Sequence, residues 1–267
     1  MINYIKNFIS NNIYYFRYKS YLKNLIKLKN SKKNKNVIVL GNGDSVNLLD
    51  PKKILKLKKN FDVIATNTYF FSKLSKVIIP DYYLISDRRV LTPNNSNFTK
   101  QKIKTCKLSN SRLKKSKKTI LLLPAEFHKI NQFSNQVFYF NNLEDDYSKN
   151  SSNLERPRGF RSMSGLKALS AACYLGYKKI YFCGIDFSQW ASFKVNDKNI
   201  IYQSSRYFFS KNNIHKNTNN KKIYNLLKDI SDIYLSQEIF NKEAIVNLNP
   251  YSLNDVFSKK HKLKVYK

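Results

Sequence analysis

The sequence predicts an α/β fold, a Rossmann-like and mostly parallel sheet with helices on both faces, on three observations. Short apolar, β-branched runs recur along the chain, helix-length stretches separate them, and polar residues finish several of the runs. Parallel strands need crossovers and are buried on both sides, so they read as near-continuous apolar runs rather than as clean alternation. The runs are "VIVLG" (37–41), "DVIATN" (62–67), "YYLISD" (82–87), "TILLLP" (119–124), "VFYFN" (137–141), "KIYFCGID" (179–186) and "IVNLNP" (245–250). Residues 45–59, 164–176 and 221–240 read as helices, with Gly176 as the C-cap of the second.

Two stretches do not fit the sheet. Residues 94–118 are rich in Asn, Ser and Lys, which predicts an exposed loop. Residues 188–220 are too long for a plain connection and carry Trp190, Tyr202, Tyr207, Phe208 and Phe209, which predicts a lid that packs. Ahead of the first strand, residues 1–36 hold nine Lys or Arg and no acid, with Ile2, Ile5, Ile9, Ile13 and Phe16 near helical spacing. The organisation is therefore a basic amphipathic arm, 1–36, and a Rossmann-like domain, 37–267, with its lid at 188–220. The arm has no apolar run of roughly 18 residues and no small-residue cleavage site, so neither a membrane span nor a signal peptide is expected. It suits either an anionic membrane surface or a helix packed on its own domain.

Hydrophobic residues make up 42% of the 267 positions and aromatics 14%, which excludes a disordered chain. The net charge of +32, from 49 basic and 17 acidic residues, fits either polyanion attraction or an AT-rich coding bias, and it does not single out nucleic acid. Cys106, Cys173 and Cys183 lie far apart with no CxxC pair, so neither a zinc site nor a disulfide framework is expected and the compartment reads as reducing. No HExxH, GxSxG or Asp-x-Asp signature is present, and no metal or other cofactor is expected.

The residues with chemistry gather at strand ends, where open parallel sheets bind ligands. Gly41-Asn42-Gly43 and Ser45 follow the first strand, Asn67 the second, Asp87 the third and Asp186 the sixth. A glycine-rich turn that opens a helix directs backbone N–H groups at an anion, although this spacing matches neither the dinucleotide nor the Walker pattern. Asn42 and Asn67 offer amides that bond a base edge, a phosphate or a sugar without added charge. The scarce arginines Arg156, Arg158 and Arg161 precede Ser164-Gly165 at a helix start, and guanidinium forks grip phosphate or carboxylate. His215, at the end of the lid, is the side chain suited to moving a proton near neutral pH.

In order and spacing these motifs resemble the bacterial sialyltransferases of glycosyltransferase family 42, over residues 37 to 257. "VIVLGNGDS" is similar to that family's GNGPS turn, with Asp44 in place of proline, and "FDVIATNTYFF" to its second strand. "RSMSGLKALSAACYLGYKKIYFCGIDF" resembles its Arg-x-x-Ser-Gly helix and GIDF strand, "HKNTNN" its His-x-x-Asn-Thr segment, and "LNPYSLNDVF" its closing Pro-x-Ser-Leu. The resemblance implies a GT-A-variant fold, a CMP-sialic acid or related nonulosonic acid donor, and metal-independent inverting transfer to a surface glycan such as lipooligosaccharide or capsule. It also implies a membrane-associated homo-oligomer, cytoplasmic and peripheral at the inner face of the bacterial membrane.

Carried over by position, Gly41, Asn42, Gly43, Ser45, Asn67, Ser164, Gly165 and Asp186 line the nucleotide and donor sugar, Arg161 is the site's arginine and His215 the general base. The family's tyrosine pair after GIDF is replaced here by Ser188 and Phe193, so Tyr202, Tyr207, Arg156 or Arg158 is expected to bond the leaving phosphate. The alternative is a non-catalytic polyanion- or membrane-surface-binding protein on a degenerate nucleotide fold.

Overall fold

The computed structural model of the chain describes residues 2–95, 100–145, 148, 152–158, 163–186, 193–195, 198, 201–205, 213–215, 244–252 and 256–267. Seven strands form one sheet: β1 (Asn36–Leu40), β2 (Phe61–Thr66), β3 (Tyr82–Leu84), β4 (Ile120–Pro124), β5 (Val137–Phe140), β6 (Lys179–Cys183) and β10 (Ile245–Asn247). Their order is β10-β6-β1-β2-β3-β4-β5, and every neighbouring pair is parallel. From β1 the chain winds outward to β5, then returns to the other side of β1 as β6. That reversal makes β1 and β6 the switch point of a doubly wound, Rossmann-like sheet.

Period-two alternation sorts the strand residues between two cores. Val37 and Val39 join one cluster with Leu166, Leu169 and Ala172 of α5 (Ser164–Leu175), and Ile38 and Leu40 join the other. That second cluster takes Ile54 of α2 (Pro51–Leu57), Val90 and Leu91 of α3 (Arg88–Leu91), and Cys106 and Leu113 of α4 (Lys100–Lys115). Leu25 and Leu28 lie in the first cluster, so the end of the arm is part of the core.

Two expectations are corrected. Residues 45–59 are not one helix: a 3-10 turn, Asp44–Leu48, is broken by Asp50-Pro51, where Asp50 caps α2 through the Lys52 and Lys53 amides and proline takes the first helical position. Residues 94–118 are mostly the helix α4 rather than a loop. Its inward face is Thr105, Cys106, Ser109 and Leu113, two of them small hydroxyl residues, so hydrophobic periodicity was nearly silent. Tertiary bonds complete it, from Ser109 to the Tyr83 hydroxyl (3.2 Å) and from Arg112 to the Phe70 carbonyl (2.6 Å). Within 188–220, the described residues form an antiparallel three-stranded sheet, β7 (Phe193–Val195), β8 (Ile201–Ser205) and β9 (Asn213–His215). The helix expected at 221–240 lies outside the described residues.

Asp62 ties the amino-terminal edge of the sheet to the segments around it. Asp62 accepts bonds from the Tyr177 hydroxyl (2.7 Å) and Lys35 (3.2 Å), and pairs with Lys32 (3.2 Å). The segment carrying those lysines also caps α5: Asn30 and Lys32 donate to the Tyr174 and Leu175 carbonyls, and Gly176 turns left-handed at φ 80°. Burial pushes the Asp62 carboxyl up, but the Tyr177 and lysine partners outweigh it and hold the group below its usual 3.8. A folded-state pKa below the unfolded value gives stability that is present above about pH 4 and lost as pH falls through the folded pKa. Asp62→Asn should therefore destabilise the protein at pH 7 by denaturant titration, and the difference from wild type should shrink below pH 4.

Candidate functional site

At the carboxyl ends of β1 and β6 the two strands come unusually close. The Gly41 amide donates to the Cys183 carbonyl and the Gly43 amide to the Gly184 carbonyl, each at 2.8 Å. A Cβ on Gly41 would lie 2.1 Å from the Gly184 oxygen, and one on Gly43 2.3 Å from the Asp186 carboxylate. Gly184 itself is left-handed, at φ 76°. Asp186 then fastens three loops: it accepts the Ser45 amide (3.1 Å), the Ser45 hydroxyl and the Asn249 side-chain amide (3.0 Å), while Ser45 Oγ accepts the Gly184 amide (2.9 Å).

The turn expected to cradle a phosphate is braced by its own hydrogen bonds. The amides of Gly41, Gly43, Ser45 and Val46 are all spent within the protein, and a 3-10 turn rather than an α-helix follows them. Ser45 is 6% exposed, so its hydroxyl and the Asp186 carboxylate serve each other. The glycines allow close approach of two strand ends.

One strand over, polar groups do converge. Asn67, left-handed at φ 44°, donates from its amide to Ser164 Oγ (2.7 Å) and accepts the Ser86 backbone N–H (3.2 Å). Ser86 Oγ and Ser164 Oγ are also bonded, at 2.7 Å, and Thr68 donates to the Asn42 side-chain oxygen (3.4 Å). Asparagine tolerates the left-handed region, and the Tyr83 hydroxyl holds the Asn67 carbonyl from beneath. The ends of β1, β2 and β3 and the first residue of α5 thus assemble Asn42, Asn67, Ser86 and Ser164, all neutral and half-buried. Gly165 lets α5 sit against Ile185, whose side chain lies 2.8 Å from where a Cβ would be. Such a cluster can bond hydroxyls, a base edge or phosphate oxygens.

Sequence reasoning missed Ser86 and Asn249, and it assigned Asp87 to the site. Asp87 instead caps α3 and holds Arg89 in a two-pronged pair (3.0 and 2.9 Å). It also missed a chain of half-buried polar groups beyond β4 and β5 that ends on the buried Lys167. Tyr14 of α1 (Ile2–Lys23) donates to Glu126, Asn142 donates to Glu126 (2.8 Å), and Lys167 of α5 donates to Asn142. Arg158 is wholly buried, its guanidinium 5.5 Å from the Phe140 ring centre and hydrogen-bonded through none of its nitrogens. Burial draws it down to about 10, so it stays cationic at neutral pH. The signal for this chain was present as polar residues after two strands, Glu126 after "LLLPA" and Asn142 after "VFYFN".

His215 ends β9, where its backbone pairs with Gln203 of β8, and Tyr202 of β8 pairs with Lys194 of β7. Arg161, Tyr207 and Ser188 lie outside the described residues. Among the described residues no three His, Cys, Asp or Glu side chains converge as a metal would require. Burial pushes the thiols up, to about 11 at Cys106 and about 12 at Cys173 and Cys183, so they remain protonated.

Burial, with Arg158 nearby, also lowers Lys167 to about 7 from 10.5. The folded protein therefore binds fewer protons than the unfolded chain between about pH 7 and pH 10, and this group makes stability rise with pH across that window. The melting temperature of Lys167→Met relative to wild type should be level below about pH 7 and fall from there to pH 10. At the glycine pair, Gly184→Ala should cost at least ~2 kcal/mol in a denaturant titration, combining left-handed strain with a Cβ 2.5 Å from Val46 Cγ2.

No family model and no curated protein matches the chain. Among solved structures it is similar to the MAf glycosyltransferase from Magnetospirillum magneticum AMB-1, at a TM-score of 0.51 and 13% identity. The match covers 93% of this chain and 40% of that one, so this chain spans about two fifths of its neighbour's length. At that identity the likeness is one of fold: the seven-stranded, all-parallel, Rossmann-like α/β sheet of this chain belongs to a fold that resembles a glycosyltransferase's.

Proposed function

We propose that the chain is a glycosyltransferase that moves sialic acid, or a related nonulosonic acid, from a CMP-activated donor to a hydroxyl of a surface glycan, with inversion and without a metal. The observation that carries the reading is the cluster of Asn67, Ser86 and Ser164, with Asn42 beside it, at the carboxyl ends of three parallel strands under the first turn of α5. Sugar nucleotides are ligands of that edge in open α/β sheets, and neutral amides and hydroxyls recognise them without repelling phosphate. The glycosyltransferase of like fold and the motif order in the sequence support the same reading.

In this proposal Asn42, Asn67 and Ser164 hold the nucleotide and donor sugar, and Arg161 grips the donor's negative charge. The acceptor oxygen attacks the anomeric carbon as His215 takes its proton. The bond from that carbon to the phosphate oxygen breaks, and CMP leaves with the electron pair while Tyr202 and Tyr207 donate to its phosphate.

The first test is thermal shift at moderate salt. CMP should raise the melting temperature more than UMP, GMP or ATP, and Asn67→Ala should reduce that shift. Equal shifts with every polyanion, abolished by salt, would instead favour a non-catalytic polyanion binder. The second is transfer from CMP-sialic acid to a galactose-terminated acceptor. His215→Ala should lower turnover about 10²-fold or more with nucleotide binding retained, because general-base catalysis acts in the transition state. Arg161→Ala should weaken donor binding. Turnover unchanged in His215→Ala would remove that residue from the mechanism.

A further inference from the structure

The first helix packs on the protein with the side opposite to the one its composition would bury. Asn11 donates to Asp145 (3.0 Å), Tyr14 to Glu126, and the rings of Tyr18 and Tyr21 lie against His128, with Tyr21 also against Tyr139. One turn further, Leu22 and Leu25 enter the interior. The side of α1 facing solvent carries Ile5, Phe8, Ile9, Ile13 and Phe16, which are 48, 61, 52, 55 and 72% exposed. An amphipathic helix on its own domain turns that stripe inward. Here the tyrosine and asparagine side makes the tertiary bonds and the isoleucine and phenylalanine side is left outward.

Lys6, Arg17, Lys19 and Lys23 are exposed on the same helix, and residues 1–36 contain no acid. A second copy of the chain laid on this stripe would bring those cations, and a net charge of +32, against their own kind. A protein groove would need acids to match them. A bilayer with anionic headgroups supplies both an apolar layer for the stripe and opposite charge for the flanking cations. No helix among the described residues is long and apolar enough to cross a membrane. Surface docking is the mode that fits α1.

The anchoring contacts also give the orientation. Glu126 follows β4, and Asn142 and Asp145 follow β5, so the outward stripe lies level with the carboxyl edge of the sheet, the edge that bears Asn67 and Ser164. We propose that α1 docks the protein on an anionic lipid surface through Ile5, Phe8, Ile9, Ile13 and Phe16, and so holds the carboxyl edge of the sheet close to that surface. The inference stands whether or not the sheet carries a transferase site.

Deleting the arm would strip Leu25 and Leu28 from the core, so the test uses the full chain with point substitutions on the exposed side. Wild type should co-sediment with phosphatidylglycerol-containing vesicles and much less with pure phosphatidylcholine vesicles. Phe8→Ser/Phe16→Ser should reduce that partitioning by about tenfold or more, since two large side chains leave the acyl boundary, with melting temperature and circular dichroism unchanged. Lys19→Gln/Lys23→Gln should weaken binding to the anionic vesicles, and so should added salt. Binding unaffected by the phenylalanine changes would overturn the proposal. So would absence of binding to anionic vesicles, or a dimer in sedimentation equilibrium that Phe8→Ser/Phe16→Ser dissociates and vesicles do not, which would make a second copy the occupant.

Discussion

The contact on which the rest of the molecule depends is the near-touch of Gly41 and Gly184 at the switch point. Only there do the outward winding, β1 to β5, and the returning strand β6 meet side by side, and their exit loops must separate within a few residues. Two residues without a Cβ let the backbones exchange hydrogen bonds where any larger residue would overlap. Asp186 then locks the arrangement by accepting from the loop after β1 and the loop after β10 at once. These donors and acceptors satisfy one another at the switch point, and the neutral cluster of Asn67 and Ser164 lies one strand away.

A second constraint follows from where α5 starts. Its first residue must reach Asn67 and Ser86, while its next turn presents Lys167 to the interior beyond β4 and β5. A buried lysine is tolerable only with an acceptor, and Asn142 provides it, itself oriented by Glu126 and, through Glu126, by Tyr14 of the first helix. The arm is thereby tied to the same edge of the sheet as the candidate site. Arg158 is the unrelieved member of the group. Its charge rests on the Phe140 ring and on the more distant field of Glu144 and Glu126 rather than on direct bonds, and such burial costs stability.

At the opposite edge, the amino ends of the strands carry a conventional structural anchor, Asp62 with Tyr177 and two lysines. The contrast between the edges is chemical. At the amino edge the acid is fully partnered and caps nothing but the protein's own loops. At the carboxyl ends of β1, β2 and β3, the neutral side chains of Asn42, Asn67, Ser86 and Ser164 meet through groups that retain further donor and acceptor capacity.

What the sequence by itself determined is local. The seven apolar runs, the helix read at 164–176 and its cap at Gly176 follow from backbone periodicity and the left-handed freedom of glycine, and all are present in the fold. The strand-end residues Asn42, Asn67 and Asp186 were legible for the same reason. What each of them bonds was decided by tertiary structure, because the partners are distant in the chain: Ser45 meets Asp186 across 141 positions and Asn67 meets Ser164 across 97. Helix α4 and the outward stripe of α1 belong to that second kind. Composition shows that a helix has two unlike sides, but which side turns inward depends on what the sheet presents to it, here Glu126, His128 and Tyr139, which take the tyrosine side and leave the isoleucines and phenylalanines outside.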